Sequence, residues 1–286
     1  MDWGMKNRLS RILQPESGRT VMLAVDHGYF LGPTSGLEKP GETIAPLLPY
    51  ADSLMLTRGV LRNCVPPESN TPIVLRISGG TSILKDLSGE GLTVSMDDAV
   101  RLNVSAITLS IFVGADGERE TLLSLAEAVD WGETYGFPVL AVTAVGKDMV
   151  RDARYLGLAC RIAAELGAHM VKTYFCDGFE NIVRDTPVPL VVAGGKKIPE
   201  KDAIQLAWNA VNAGARGVDM GRNIFQSDSP TGMIQAVRGV VHDSLSVKEG
   251  FQLYQELKGY PGAGRRLPPQ RGHPCGRGSP AGSRPR

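Results

Sequence analysis

The stretch Ala168-His169-Met170-Val171-Lys172-Thr173-Tyr174-Phe175 is apolar, rich in β-formers and carries one lysine in its interior. It follows a helical-period segment, Met149–Leu166, and a punctuating Gly167. Period-2 alternation puts Met170, Lys172 and Tyr174 on one face of a strand and Val171 and Thr173 on the other. A strand apolar on both faces belongs to a sheet covered on both sides, and a helix running into it is half of a βα repeat.

Seven further runs have the same character: Thr20–Gly28, Asp52–Gly59, Pro72–Ser78, Ala106–Gly114, Pro138–Gly146, Pro189–Gly195 and Gly217–Phe225. Helical spacing fills most intervals, notably Arg119–Tyr135, Met149–Leu166 and Glu200–Ala213, with Gly136, Gly167 and Gly214 closing them. Eight strand–helix units fit the (β/α)8 TIM barrel, a fold of about 250 residues. An open doubly wound sheet is the rival, but no GxGxxG follows the first run. Gly4–Leu13 is expected to form a helix that closes the barrel floor. The sequence thus predicts a single-domain α/β barrel over 1–258, with its weakest helices in the first two intervals.

From Gly259 the chain reads GYPGAGRRLPPQRGHPCGRGSPAGSRPR. Such a segment buries too little apolar surface to offset its ordering entropy, so 259–286 is expected to be a disordered tail. Its basic character allows RNA or membrane binding as a reading, but a solvated appendage is the plainer one.

A net charge of +1 across 286 residues gives no electrostatic case for a nucleic-acid partner. Cys64, Cys160, Cys176 and Cys275 lack metal-ligand spacing and no CxxC occurs, so no metal is expected. No run is long enough to span a bilayer, and the N-terminus has no signal-peptide pattern, which predicts a cytoplasmic protein.

In a barrel of this type, chemistry sits at the C-terminal ends of the strands. An ammonium at Lys172 among Met, Val and aromatic neighbours would lose solvation. Its pKa would then fall, freeing an amine to attack carbonyls. The alternative is a lysine that snorkels to water or pairs with a carboxylate. Asp26 and His27 end the first run and suit proton transfer, or else cap a turn and fill the rim. Gly194 and Gly195 lie at the end of the seventh strand, and Gly221 and Arg222 at the end of the eighth. Backbone N–H groups and a guanidinium there form a phosphate site where this fold usually keeps one. The bland reading is a tight turn and a surface arginine. Arg58, Arg76 and Lys147 add positive charge near strand ends, each readable as a holder of an anionic substrate or cofactor or, more plainly, as a rim ion-pair partner.

Together, AVDHG, TRGVLR, VGKDMVRD, VKTYF, VAGGKK and GVDMGRNIFQS resemble the class I aldolase superfamily, in the branch of the archaeal-type fructose-bisphosphate aldolases. DWGMKNRLSRIL, DHGYFLGPTSGLE, LRNCVPPESN, SMDDAVRLN and VGKDMVRDARY more narrowly resemble a group of thiolases within it. The resemblance runs from about Asp2 to Leu257 and implies that Lys172 forms a Schiff base. It also implies a phosphorylated β-diketone as substrate, coenzyme A as co-substrate with no permanently bound cofactor, and a role in degrading phosphorylated autoinducer-2. A homo-oligomer is expected. Members usually carry a longer leader before Asp-Trp-Gly, which implies a truncated start.

Aldolase relatives carry Tyr-Pro-Arg-Gly at the end of strand five, with the tyrosine as acid/base. Here the matching residues are Thr143-Ala144-Val145-Gly146, so that phenol is missing. Plain aldol cleavage of a sugar phosphate is therefore the second expectation, and acetyl transfer to coenzyme A the first. A catalytically dead barrel used for binding is the third reading. The co-occurrence of Lys172, Asp26 and Arg222 argues against it.

Overall fold

The computed structural model describes residues 1–144 and 152–259. Eight parallel strands close a barrel: β1 Thr20–Ala24, β2 Ser53–Thr57, β3 Ile73–Arg76, β4 Ala106–Ile111, β5 Val139–Thr143, β6 Met170–Thr173, β7 Leu190–Ala193 and β8 Gly217–Met220. Each pairs with its sequence neighbours, and β8 returns to β1 with Met22 opposite Asp219.

Alternation along the strands separates two cores. Met22, Met55, Val74, Ala106, Leu140, Met170 and Val191 point inward and fill the barrel's lower half. Their neighbours in sequence, such as Leu23, Leu54, Val171 and Val192, pack outward under the helices. The expected floor helix is α1, Trp3–Ile12, capped by Asp2, whose carboxylate accepts from Met5 N at 2.7 Å. Met5, Leu9 and Ile12 recur at helical spacing, and Ile12 joins the inner cluster with Leu9 and Leu13 packed against it. Arg8 anchors the helix by stacking 4.5 Å over the Phe137 ring and donating to Gly136 O.

The first two intervals are irregular, as expected. They hold α2 Gly28–Leu31, α3 Pro40–Ile44 and a 3₁₀ turn at Leu48–Tyr50, then α4 Arg58–Cys64. Thr57 ends β2 by capping α4, so the run expected to extend to Gly59 stops short. Between β3 and β4 lie a short antiparallel pair, Ser78–Gly79 with Gly91–Leu92, and α5 Met96–Arg101. The hairpin escaped the sequence reading because two-residue strands carry no periodicity.

The large outer helices follow: α6 Glu118–Tyr135, α7 Ala153–Glu165, α8 Phe179–Asp185 and α9 Glu200–Asn212. The expected start of α7 at Met149 lies outside the described residues; the described helix starts at Ala153 under an Asp152 cap. The last run is corrected. Its second half is a separate short helix, α10 Arg222–Phe225, because the chain turns at Gly221. Helices α11 Pro230–His242 and α12 Val247–Gly259 complete the shell, with α12 running one residue past the expected boundary at 258. The tail expected from Gly259 lies, beyond that residue, outside the described residues.

At the N-terminal face Asp52 ties three elements together. It accepts from Val21 N at 2.6 Å, pairs with Arg238 at 2.6 Å and meets His242 at 2.7 Å. This clasp holds β1, β2 and α11 at the end remote from the lysine. Among the described residues no helix is long and apolar enough to cross a membrane.

Candidate active site

Above the apolar floor the barrel interior turns polar. Lys172 projects inward from β6, above Met170, in the orientation that alternation predicts. It is only 8% exposed, and its Nζ lies 2.8 Å from Asp219 Oδ2 of β8. The lysine is thus both buried and paired with a carboxylate. Sequence reasoning passed over Asp219, since nothing in a linear pattern says that β6 and β8 face one another across a closed barrel. Burial pushes the Asp219 carboxyl above its ordinary range, against the opposing pull of Lys172.

Asp26 lies just beyond β1 and is equally enclosed. Arg76, from the end of β3, donates Nε to Asp26 Oδ2 at 2.7 Å and Nη1 to Ser110 Oγ at 2.8 Å. Burial alone would raise the Asp26 carboxyl. Arg76, His27 and Lys172 together outweigh it and hold the group below its ordinary value. Arg76 is thus an interior residue, not a rim partner. Its guanidinium also stands 3.6 Å from Glu90 and 4.8 Å from the centre of the Tyr29 ring. Glu90 accepts from Ser78 Oγ at 2.6 Å and from the Tyr29 hydroxyl, joining α2 and the short hairpin to the network.

The chamber holds three carboxyl groups (Asp26, Glu90, Asp219) and two cations (Arg76, Lys172).

His27 packs edge-on against Phe225, with ring centres 5.6 Å apart. Its Nδ1 is 3.9 Å from Asp26, too far for a hydrogen bond, and has no hydrogen-bond partner among the described residues. Burial drives the imidazole down to about 4, helped by Lys172, Arg222 and Arg76 and opposed by Asp26. It is neutral near pH 7.

The two expected phosphate segments do come together. Asn223 Nδ2 donates to Gly194 O at 2.6 Å, and Ile198 N donates to Asn223 Oδ1 at 2.9 Å. One fully buried amide thus staples the loop after β7 to α10. Sequence reasoning missed Asn223, although it stands beside Arg222. Gly194 N also bonds to the Asp219 carbonyl at 3.2 Å, which connects this loop to the residue that pairs with Lys172. Gly195 takes φ +70°, with open space where a side chain would stand. At Gly221 a Cβ would lie 2.3 Å from Ala24 O and 2.5 Å from His27 Cε1, so glycine is required for the imidazole to sit there. Arg222 opens α10 close enough to influence His27.

Arg58 is the rim residue that the bland reading described: it pairs with Asp98, as do Arg62 and Arg101. Lys147 lies outside the described residues. On β5, Thr143 bonds to Lys172 O and Thr173 Oγ1, fixing strand spacing rather than offering an acid.

The barrel thus gathers a buried inner lysine, carboxylates around it and a double-glycine loop bound to α10. Residues 20–227 match the model of the DeoC/LacD family of aldolases. The chain is 56% identical over 259 residues to the 3-hydroxy-5-phosphonooxypentane-2,4-dione thiolase of Klebsiella pneumoniae, covering 90% of this chain and 88% of that one. The Escherichia coli K12 thiolase of the same name is 55% identical, with 90% and 89% covered. Among solved structures, an archaeal fructose 1,6-bisphosphate aldolase superposes with TM-score 0.75 at 24% identity, covering 84% of this chain and 99% of its own. A fructose-bisphosphate aldolase of Slackia heliotrinireducens gives 0.77 at 16% identity, with 88% and 90% covered. These two share the fold. The match across most of the barrel and the close relatives place this chain in the DeoC/LacD family of aldolases.

Proposed function

We propose that this protein is an acetyltransferase that cleaves 3-hydroxy-5-phosphonooxypentane-2,4-dione with coenzyme A, using Lys172 as the Schiff-base residue. The observation that carries the reading is the position of Lys172. An amine held inside the barrel, 2.8 Å from a buried carboxyl that can exchange its proton, suits condensation with a ketone. The choice of diketone follows the close relatives, whose name states that substrate, and coenzyme A is the thiol acceptor that this reading adds.

Lys172 condenses with the ketone next to the phosphate-bearing carbon and water leaves, giving an iminium. The coenzyme A thiolate attacks the acetyl carbonyl. The bond from that carbonyl to the hydroxyl-bearing carbon then breaks, and its electron pair flows to the iminium nitrogen as an enamine. Acetyl-CoA departs, the proton given up by the thiol returns to the enamine carbon, and hydrolysis releases dihydroxyacetone phosphate. Without the iminium the leaving carbon would have to become an unassisted carbanion. His27 and Asp26 serve the proton traffic between thiol and carbon. His27 is held neutral by burial and presents an unpartnered Nδ1 for a hydrogen bond to the substrate, while Asp26 is kept as the anion by Arg76. Gly194, Gly195, Gly221 and Arg222 hold the phosphate.

Coenzyme A enters as a co-substrate. Degradation of phosphorylated autoinducer-2, a cytoplasmic location and a homo-oligomer belong to the same proposal. So does the division of the chain into a barrel and a dispensable tail.

Incubation with the phosphorylated diketone, with and without coenzyme A, tests the reading. Acetyl-CoA and dihydroxyacetone phosphate should form in equal amounts only when coenzyme A is present. Reversible cleavage of fructose bisphosphate, indifferent to coenzyme A, would instead make the protein an aldolase in the narrow sense, the second reading that the family supports.

A further inference from the structure

We infer that Asp219 is the acid and base of Schiff-base formation in this barrel, the part for which strand five supplies no phenol. The inference rests on the proposed Schiff-base role of Lys172, but not on the identity of the acyl acceptor.

Three features of the geometry support it. Asp219 Oδ2 is in ion-pair contact with the nucleophilic nitrogen, and its side chain is fully enclosed. Its other oxygen, Oδ1, has no hydrogen-bond partner among the described residues, so the carboxyl is not committed to holding the fold together. Most buried carboxylates are fully engaged; Asp52 at the opposite face of the barrel, with three donors, shows the structural kind. The neighbouring titratable groups are also ill-suited to give a proton to Lys172 chemistry. Asp26 is held as an anion by Arg76, the Tyr29 hydroxyl is bound to Glu90, and His27 is neutral. On β5 the inward-facing Leu140 carries no proton, and Thr143 is bonded to β6.

The steps balance. Asp219 accepts a proton from the Lys172 ammonium, leaving a neutral amine and a carboxylic acid. The amine adds to the substrate ketone, and the proton from nitrogen moves to the former carbonyl oxygen to give a carbinolamine. Asp219 then returns its proton to the carbinolamine hydroxyl, water leaves, and an iminium and a carboxylate remain. A raised carboxyl is suited to this exchange, because burial brings its proton affinity closer to that of the amine. Release of product runs the same steps in reverse.

Asp219→Asn conserves shape and removes the proton. Dihydroxyacetone phosphate is the probe, since it forms the iminium without coenzyme A. Borohydride trapping is followed by mass over time between pH 6 and 9. The wild-type trapping rate should be nearly flat over this range. In the Asn variant both proton transfers must pass through solvent. Trapping should then be at least ~100-fold slower at pH 8, and at fixed pH its rate should rise with the concentration of added imidazole or acetate, whereas the wild-type rate should not. A structural role would lower the melting temperature without creating that buffer dependence. An Asn variant within about threefold of wild type, with no buffer dependence, would overturn the inference. If the variant does not fold, the wild-type rate decides instead, and one that already rises with buffer concentration excludes an internal acid. Loss of acetyl-CoA formation with trapping intact would count against the thiolase reading and leave Asp219 standing.

Discussion

Arg76 and Asp26 form an ion pair at 2.7 Å in which both side chains are about 95% buried, and the pair joins β3 to the mouth of β1. Its guanidinium is shared with Ser110 and Glu90, so one cation organises three strands and the hairpin. Removing one member of such a pair leaves an unpaired buried charge, which costs about 3–5 kcal/mol. Arg76→Met should therefore lower Tm by roughly 10 °C and reduce turnover sharply. A calorimetric scan that finds Tm unchanged would show that the pair is not buried in solution.

The same pair fixes a sign for pH. Asp26 has its carboxyl lowered in the folded protein, so the stability it contributes is complete above the unfolded value of 3.8 and is lost as pH falls toward the folded value. His27 acts over a higher window. Its folded value of about 4 lies below the ordinary 6.5, so the unfolded chain takes up the proton first. Stability should fall as pH drops from 6.5 toward 4, by about 3 kcal/mol in all. His27→Phe should flatten that part of the denaturation profile. An unchanged difference between pH 7 and pH 4.5 would place the imidazole in water.

Arg222→Met should act on phosphate recognition. Loss of a charge-assisted pair is expected to weaken binding by about 1.5–3 kcal/mol for the phosphorylated diketone and little for its dephosphorylated analogue. Equal losses for both ligands, measured by titration calorimetry, would make Arg222 a structural residue.

Asn223→Ala should raise KM more than it lowers kcat. It cuts the staple between Gly194 and Ile198 while leaving Lys172 and Asp219 in place. The stability cost is about 1–3 kcal/mol for the stranded backbone groups. A fall in kcat at constant KM would place the residue in the chemistry instead.

Truncation after Gly259 should leave Tm and turnover nearly unchanged, because residues 260–286 show no core-forming pattern in sequence. A raised KM in the shortened protein would identify the segment as part of the substrate enclosure.

Much of this architecture is legible in the chain because each barrel strand advertises itself locally. β6 shows both faces apolar, a glycine before it and one lysine that alternation sends inward. The floor helix is equally visible through Met5, Leu9 and Ile12. What escaped is what only closure brings together. Asp219 and Lys172 are 47 positions apart in number, and Asp26 and Arg76 are 50. Neither spacing says that the side chains meet. Arg76 looked like a rim charge because its strand ends there, yet alternation with inward-facing Val74 already placed it inside. Glu90 lies in a loop whose two-residue strands have no readable period. Asn223 had a signal, a polar residue beside Arg222 and directly before the apolar Ile224 and Phe225, that the linear reading did not use.

The central claim is that Lys172 becomes covalently attached to substrate, and peptide mapping after borohydride reduction in the presence of the phosphorylated diketone tests it most directly. The account predicts one reduced adduct, on the peptide that contains Val171-Lys172-Thr173, and no adduct and no turnover in Lys172→Ala. An adduct on Lys196 or Lys147, or full activity without Lys172, would contradict it.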